Sequence, residues 1–547
     1  MTEVRHSLEH GKAQLGPAHT RLSRAFARAR TLGGAAFDAI PLCFAILAIA
    51  LPILLLPVTE EQASISPGLY PIALLITCAS AIRLAILIAQ PRPHIVAGTF
   101  WMFLYISAGV VPLAQLNTQS FGYFLVAIED MAEAGLLFLA AAIAFELGHH
   151  LAKRTGGPKA ATTTPDDVRA QGRVMTRPRL VGLSVFATLS TGIYVGSLGG
   201  PAVFFQSRAA LTQAYVDAGL RSDGNQAMAT IILAASVGPA LVALIGWIIV
   251  LLDKGKREAT DFLWFALVLG LNVIVNNPLV TARYWALTVL VGIAYAIPGL
   301  SRRRFTAAVT LGILGALVIF PYTDVTRYDA VGQGSQVQVT SVAEKISTKD
   351  YDQVVMTANG VDYVQDEGFT RGLQTGSAVL FFVPRSLWSG KGEDTGVLLG
   401  KHFDLAITNL SSPLPLEVWI DFGWIGLGAA FLLFGWGARR LEDRLDLTRD
   451  HVGFGKTTFV ALLLPLLAGY GFILMRGPLL QSMSKGMALV VACYLVTGPA
   501  AGLLDGARKR TRRIVRPNLS NSGENGSSTR GMRGPTLARG ARDRGDS

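Results

Sequence analysis

Apolar runs near the roughly 20 residues that cross a bilayer recur along most of this 547-residue chain and constrain its fold more than any other feature. Hydrocarbon offers no partners to backbone groups, so a chain made of such runs must satisfy them within helices. The runs fall at about 37–57, 68–89, 95–115, 124–147, 180–198, 229–252, 262–276, 284–300, 305–321, 416–437, 457–475 and 484–504. With 51% hydrophobic and only 16% charged residues, a soluble protein is excluded. The expected fold is an all-α polytopic integral membrane protein with about twelve transmembrane helices and one large, partly helical extracytoplasmic loop.

Lys and Arg in short loops mark the cytoplasmic side. One set of alternate loops holds Arg21, Arg24, Arg28 and Arg30, then Arg92, Lys153, Arg154, Lys254, Arg257, Arg302 to Arg304, Arg439, Arg440 and the run from Arg508 to Arg513. The other set begins with Thr59-Glu60-Glu61-Gln62 and Asn117-Thr118-Gln119-Ser120, which hold neither Lys nor Arg. Both termini are therefore expected in the cytoplasm of a multi-pass protein. The organisation reads as a basic segment 1–36, helices over 37–321, an outer loop 322–415, helices over 416–504 and a basic, disordered tail 505–547. The first 36 residues lack a signal-peptide core and cleavage site, so the first run is expected to stay as an anchor. The formal charge of +12 sits in tails and inner loops, where it meets anionic lipid headgroups rather than nucleic acid.

Cys43, Cys78 and Cys493 all fall in predicted spans and suggest neither a disulfide framework nor a zinc site; no cofactor or metal is expected. Gly453-Phe454-Gly455-Lys456-Thr457-Thr458 resembles the end of a phosphate-binding loop, but Asp450 stands where its first glycine should be. Asp350-Tyr351-Asp352 has a metal-binding spacing, yet it falls outside the cell by this map, and a solvated helix face is the plainer reading. Tyr351, Val354, Val355, Ala358 and Val361 recur at helical spacing and predict a surface helix.

Unusual residues collect on the outer side. The run Val379 to Val383 is too short to span, is halted by Pro384, and suits the interface together with Trp388. Arg385 then sits at headgroup depth, facing lipid-linked phosphate. Arg208, Arg221, Arg283, Arg371 and Arg476 are further outer arginines, each an exception to the positive-inside tendency. Converging guanidinium groups would clamp a pyrophosphate without a metal. Singly, each pairs equally well with a lipid phosphate or a carboxylate. Glu129, Asp130 and Glu133 lie near the outer end of the fourth run, either as part of a site or as a wet helix end. Arg83, near an inner end, is expected to snorkel.

Val383-Pro384-Arg385-Ser386-Leu387-Trp388-Ser389-Gly390-Lys391 resembles the "(I/V)PR-x-x-W-x-x-K" stretch in the outer loop of bacterial O-antigen and exopolysaccharide repeat-unit polymerases of the Wzy type. Gly396, Ser411-Ser412-Pro413-Leu414-Pro415 and Asp421-Phe422-Gly423-Trp424-Ile425-Gly426 extend the likeness, and Gly199-Gly200 ahead of Arg208 is similar to another region of that family. It covers 370–430 well and 190–500 loosely. Gly392 departs from the family, which often has proline there.

The resemblance implies a glycosyltransferase that moves a glycan from undecaprenyl pyrophosphate onto another lipid-linked repeat unit at the outer leaflet, with lipid-linked oligosaccharides as substrates and a flippase and chain-length regulator as partners. Arg208, Arg283, Arg385 and Arg476 are the candidates for stabilising the leaving pyrophosphate, with Trp388 and Lys391 lining the loop. His402 is the first candidate base, with Glu393, Asp394 or Glu417 as alternatives; it is equally readable as an ordinary loop histidine. An O-antigen ligase would use the same donor, and a transporter or flippase would collect its unusual residues at mid-membrane instead.

Overall fold

The computed structural model describes residues 39–122, 126–155, 172–206, 208–220, 226–253, 257–277, 281, 283–296, 301–321, 341–347, 351–405, 410–448 and 453–499. Segment 1–36, tail 505–547, residues 332–336, Arg221 and Asp350 lie outside them, as do the side chains of Arg208 and Arg283. The first half of the chain forms α1 (Ala39–Leu55), α2 (Glu60–Ser64), α3 (Leu69–Ala89), α4 (Ile95–Thr118), α5 (Met131–Arg154), α6 (Arg177–Ser197), α7 (Arg208–Asp217) and α8 (Gln226–Leu252). Then follow α9 (Ala259–Val275), α10 (Arg283–Ala296), α11 (Arg302–Leu314), α12 (Val342–Ile346), α13 (Gln353–Glu367), α14 (Leu373–Val379), α15 (Thr395–His402), α16 (Leu414–Thr448), α17 (Phe459–Arg476) and α18 (Leu479–Val496). Eight of these, α3 to α6, α8 and α16 to α18, are long and apolar enough to cross a membrane, while α1, α9 and α10 are shorter apolar helices. The ninth predicted run corresponds to α11 and the π-helical turn Gly315–Ile319 that continues it. Among the described residues the sheet is a single antiparallel pair, β1 (Arg173–Met175) with β2 (Thr497–Pro499), in the register Arg173↔Pro499 and Met175↔Thr497.

Two hydrophobic cores lie side by side. One joins α3, α4, α5, α13 and α16, and the other joins α6, α8, α9, α10 and α18. Helix α17 serves both, turning Leu464, Ala468 and Phe472 to the first and Leu462, Leu466 and Tyr470 to the second. Its C-terminal residue, Arg476, thus emerges at the seam. Helix α4 is buried almost all round, as its uniformly apolar sequence demands.

Helices α5 and α16 make the closest contact of the bundle. A Cβ on Gly148 would fall 1.9 Å from the Leu432 carbonyl oxygen, and one on Gly435 would fall 1.9 Å from that of Phe145. Small residues let two backbones approach where no hydrophobic drive separates helix from lipid. Beside this contact Phe100 stacks on Phe145 at 3.8 Å between ring centroids.

Two sequence expectations are corrected. Arg83 does not snorkel freely; it is mostly buried and pairs with Glu146 at 2.9 Å, so its charge is met inside the bundle. Helix α13 is no surface helix either. Its residues 353–361 are all buried, and the Gln115 amide donates to the Tyr351 carbonyl at 3.1 Å. The polar Gln353, Thr357 and Asn359 between the apolar positions are enclosed as well. Thr357 donates to the Gln353 carbonyl and the Asn359 side chain accepts from the Val126 amide.

Candidate functional site: a buried carboxyl pair beside Arg476

The described residues of 341–347, 351–405 and 410–413 and the ends of α16 to α18 meet at one end of the bundle. Helix α16 carries a break at Gly423, whose φ of 62° and ψ of −161° are open to glycine and costly to other residues. The residues before the break therefore form a separate rod that ends on Asp421. The buried Asp421 carboxylate accepts from the Thr370 hydroxyl at 2.5 Å and from the amides of Gly372, Gln374 and Thr375 at 3.1, 3.1 and 2.6 Å. It thereby caps α14 from outside and anchors the following loop on α16.

That loop spends its cations on itself. Lys391 Nζ donates to the carbonyls of Leu380, Phe381 and Val383 at 3.1, 2.9 and 2.8 Å, closing the C-terminal end of α14. Burial, and then the charge of Arg385, push its ammonium below the usual lysine range. Arg385 donates to the carbonyls of Lys391 and Gly392 at 2.6 and 3.0 Å, yet remains exposed, with Leu387 beside it 81% exposed. Trp388 is half-buried. The spacing that reads as a ligand-binding motif is in the first place what folds this turn.

Beyond the turn the chain buries Asp394, which caps α15 by accepting from the Gly396 amide at 3.1 Å. Glu417 in the first turn of α16 is 2% exposed and close enough to Asp394 for their charges to repel. The hydroxyls of Thr395 and Ser412 and the amide of Leu479 face the Glu417 carboxyl, and Gln481 faces Asp394. Glu417 Oε1, Asp394 Oδ2, Thr395 Oγ1 and Ser412 Oγ are nonetheless buried with no closed hydrogen bond. With the Thr395 and Ser412 hydroxyls facing the Glu417 carboxyl, these oxygens form one compact buried polar cluster around the two carboxyls.

Arg476 stands on the same turn of chain as Leu479 and Gln481. Its Nη2 lies 3.9 Å from Asp352 Oδ1, which also accepts from the Ser411 hydroxyl at 2.6 Å, and its guanidinium covers the Tyr284 ring at 4.7 Å. Asp352 is 6% exposed, which corrects the solvated-face reading of the Asp350-Tyr351-Asp352 stretch: an arginine and a serine supply the partners that let it be buried. Arg283 begins α10 immediately before Tyr284, and Arg208 begins α7.

Of the sequence candidates, the fold draws Asp394, Glu417 and Arg476 to one locality. Glu393 is half-buried and pairs with Lys401 at 2.6 Å. His402 faces Asp366 at 3.4 Å with its ring against Tyr363 and Phe403, in an acidic patch where burial, then Asp366, Asp130 and Glu129, push the Asp362 carboxyl up. Sequence reasoning missed Thr395, Ser411, Ser412 and Gln481 as site residues. The first three adjoin predicted residues or the family-like stretch, and Gln481 carried no signal.

An apolar cavity of about 310 Å³ opens between α4, α16 and α17, lined by Phe100, Phe434, Leu441, Leu467 and Ala468 among others. It begins beside Val96, at the start of α4, and rises along α17 to Leu474 and Met475, directly before Arg476. No protein-family model, curated protein or solved structure matches the chain.

Burial pushes the Asp394 carboxyl up to about 6, against the opposing pull of the Gly396 amide and the Gln481 side chain. Its folded affinity for a proton exceeds the unfolded one, so the stability it lends is fully present below about 3.8 and is lost as pH rises through about 6. Asparagine keeps the capping acceptor and removes the charge. Asp394→Asn is expected to raise stability at pH 8 by on the order of 2 kcal/mol, and not at pH 4. Thermal melts at the two pH values check this, and a variant less stable than wild type at pH 8 would contradict it.

Proposed function

We propose that this chain is a bacterial inner-membrane glycosyltransferase of about twelve spans with cytoplasmic termini, which polymerises polyprenyl-pyrophosphate-linked oligosaccharide repeat units at the outer face. The observation that carries the reading is the buried Asp394–Glu417 pair beside Arg476, with an apolar cavity that runs along α17 to Met475. An apolar cavity that runs along α17 as far as Met475, the residue before Arg476, suits a lipid with an anionic head: the chain lies along α17 and the pyrophosphate meets Arg476. The loop resemblance supports the same assignment.

In this reading the anomeric C–O bond to pyrophosphate breaks, and Arg476 stabilises the charge that develops on the leaving oxygens. The acceptor hydroxyl forms the new bond to the anomeric carbon and passes its proton to the carboxyl pair. A carboxylate held out of water beside the reacting hydroxyl is a competent proton acceptor, which suits a general base. Glu417 and Asp394 take that role in preference to His402, whose partners belong to the acidic patch. Arg385, exposed at the tip of its turn, meets the headgroup layer.

The test is surface-polysaccharide length in a deletion strain complemented with wild type or Arg476→Ala at matched protein level. The expected result is a ladder with wild type and single repeat units with Arg476→Ala. Lipid-linked polymer accumulating unattached in the deletion strain would favour a ligase, and unchanged polysaccharide would overturn the glycan reading in favour of a transporter.

A further inference from the structure

At the opposite end of the bundle three helices bring together a second set of buried polar groups. His94 precedes the first turn of α4, His149 lies near the end of α5 and Glu442 lies in α16; they are 4%, 2% and 1% exposed on a residue or side-chain basis. His94 Nδ1 is 2.9 Å and His149 Nε2 is 3.7 Å from Glu442 Oε2, and the three donor atoms lie within 4.8 Å of one another. The other carboxylate oxygen, Oε1, accepts from the Val96 and Ala97 amides at 2.7 and 3.2 Å, which fixes the direction of Oε2. His149 Nε2 is buried and aimed at that oxygen, at 3.7 Å too far to close a hydrogen bond.

Two imidazole nitrogens and a carboxylate oxygen are a donor set for zinc, whose ligand bonds of about 2.0–2.1 Å place donors roughly 3.3–3.5 Å apart in a tetrahedron. The observed 2.9 and 3.7 Å straddle that spacing. Backbone amides on Oε1 orient the ligating carboxylate from outside, as the groups behind a metal's ligands commonly do. We propose that His94, His149 and Glu442 bind one zinc-class divalent cation that ties α4, α5 and α16 together. The site lies at the other end of α16 from the carboxyl pair, so the ion is a structural clamp and its binding does not depend on the glycan reading.

One neighbour must move. Arg439 Nη1 stands 3.2 Å from His94 Nε2, and its Nε lies 3.0 Å from Asp443. When Nδ1 holds a metal, Nε2 carries the ring proton and repels that guanidinium. Arg439 then keeps Asp443 and swings its tip away. A fourth position on the ion is left for water.

Full-length protein purified in detergent with a tag free of histidine, stripped by chelator and titrated with zinc or cobalt(II), tests the assignment. The expected result is one equivalent per chain at micromolar free zinc, a cobalt d–d band of tetrahedral intensity, and a zinc-dependent rise in melting temperature. His149→Ala removes a side chain whose Nε2 lies 3.7 Å from Glu442, beyond hydrogen-bond distance, and should weaken binding at least 100-fold while the chain stays folded. Glu442→Gln should do the same, and His149→Gln substitutes if it fails to fold. The absence of stoichiometric binding by wild type, or binding undiminished in the folded His149 variant, would overturn the proposal.

Discussion

Glu417→Gln is expected to stop polymer growth while leaving the protein folded in the membrane. Glutamine matches the volume of glutamate, so the packing around position 417, fully enclosed at the first turn of α16, is kept. What is lost is the proton acceptor. Positioned acid–base groups contribute typically about 10²–10⁴-fold to rate, so elongation should fall at least 100-fold. Stability should not fall, because the substitution removes one of two mutually repelling buried carboxylates. Glu393→Gln is the matched control: its side chain is half-buried and pairs only with Lys401, and such surface pairs contribute about 0–1 kcal/mol. Its activity should remain within about twofold of wild type, the order of change such a pair can produce. The readout is the number of repeat units per chain on a gel at matched protein level. A wild-type ladder from Glu417→Gln would remove the carboxyl pair from the mechanism.

The second large effect is on folding. Gly435→Val should leave little folded protein, because the new side chain meets backbone rather than a side chain that can turn aside. Its Cβ would lie 1.9 Å from the Phe145 carbonyl oxygen and 2.8 Å from its carbon. Relief requires α5 and α16 to separate, which also pulls apart the rings of Phe100, Phe145, Phe431 and Phe434. The cost should exceed about 4 kcal/mol, the level reached only when a core is disrupted. Gly148→Val should fail in the same way from the other helix. Gly428→Ala, with no atom near the added Cβ, should stay within about 0.5 kcal/mol of wild type. Size-exclusion profiles and melting curves in detergent separate these outcomes, and a monodisperse Gly435→Val protein of wild-type stability would show that the α5–α16 contact is not as close as described.

The helical membrane character was legible because hydropathy is a local property: runs of about 20 apolar residues state their own fold. Three of the runs emerged as shorter apolar helices, α1, α9 and α10. Asp394 and Glu417 were legible as candidates because they flank the family-like stretch. Their pairing was not, since it depends on how α15 docks against the start of α16, and Arg476 joins them only because α17 ends at the seam of two cores. The arginine and lysine of the 383–391 stretch read as ligand-binding groups, yet both donate to carbonyls of their own turn; a motif that folds a loop and one that binds a ligand look alike in sequence. Asp352 was misread because a lone aspartate on a helix suggests water, and its partners Ser411 and Arg476 lie 59 and 124 residues away. His94, His149 and Glu442 carry no spacing signature at all.

The central claim is best tested by purified protein in proteoliposomes supplied with a polyprenyl-pyrophosphate-linked repeat unit and no nucleotide. The expected result is a ladder of lipid-linked oligomers with one polyprenyl pyrophosphate released per new linkage, absent with Glu417→Gln. Wild-type protein that binds or moves the lipid across the bilayer, yet forms no linkage and releases no pyrophosphate, would contradict the account.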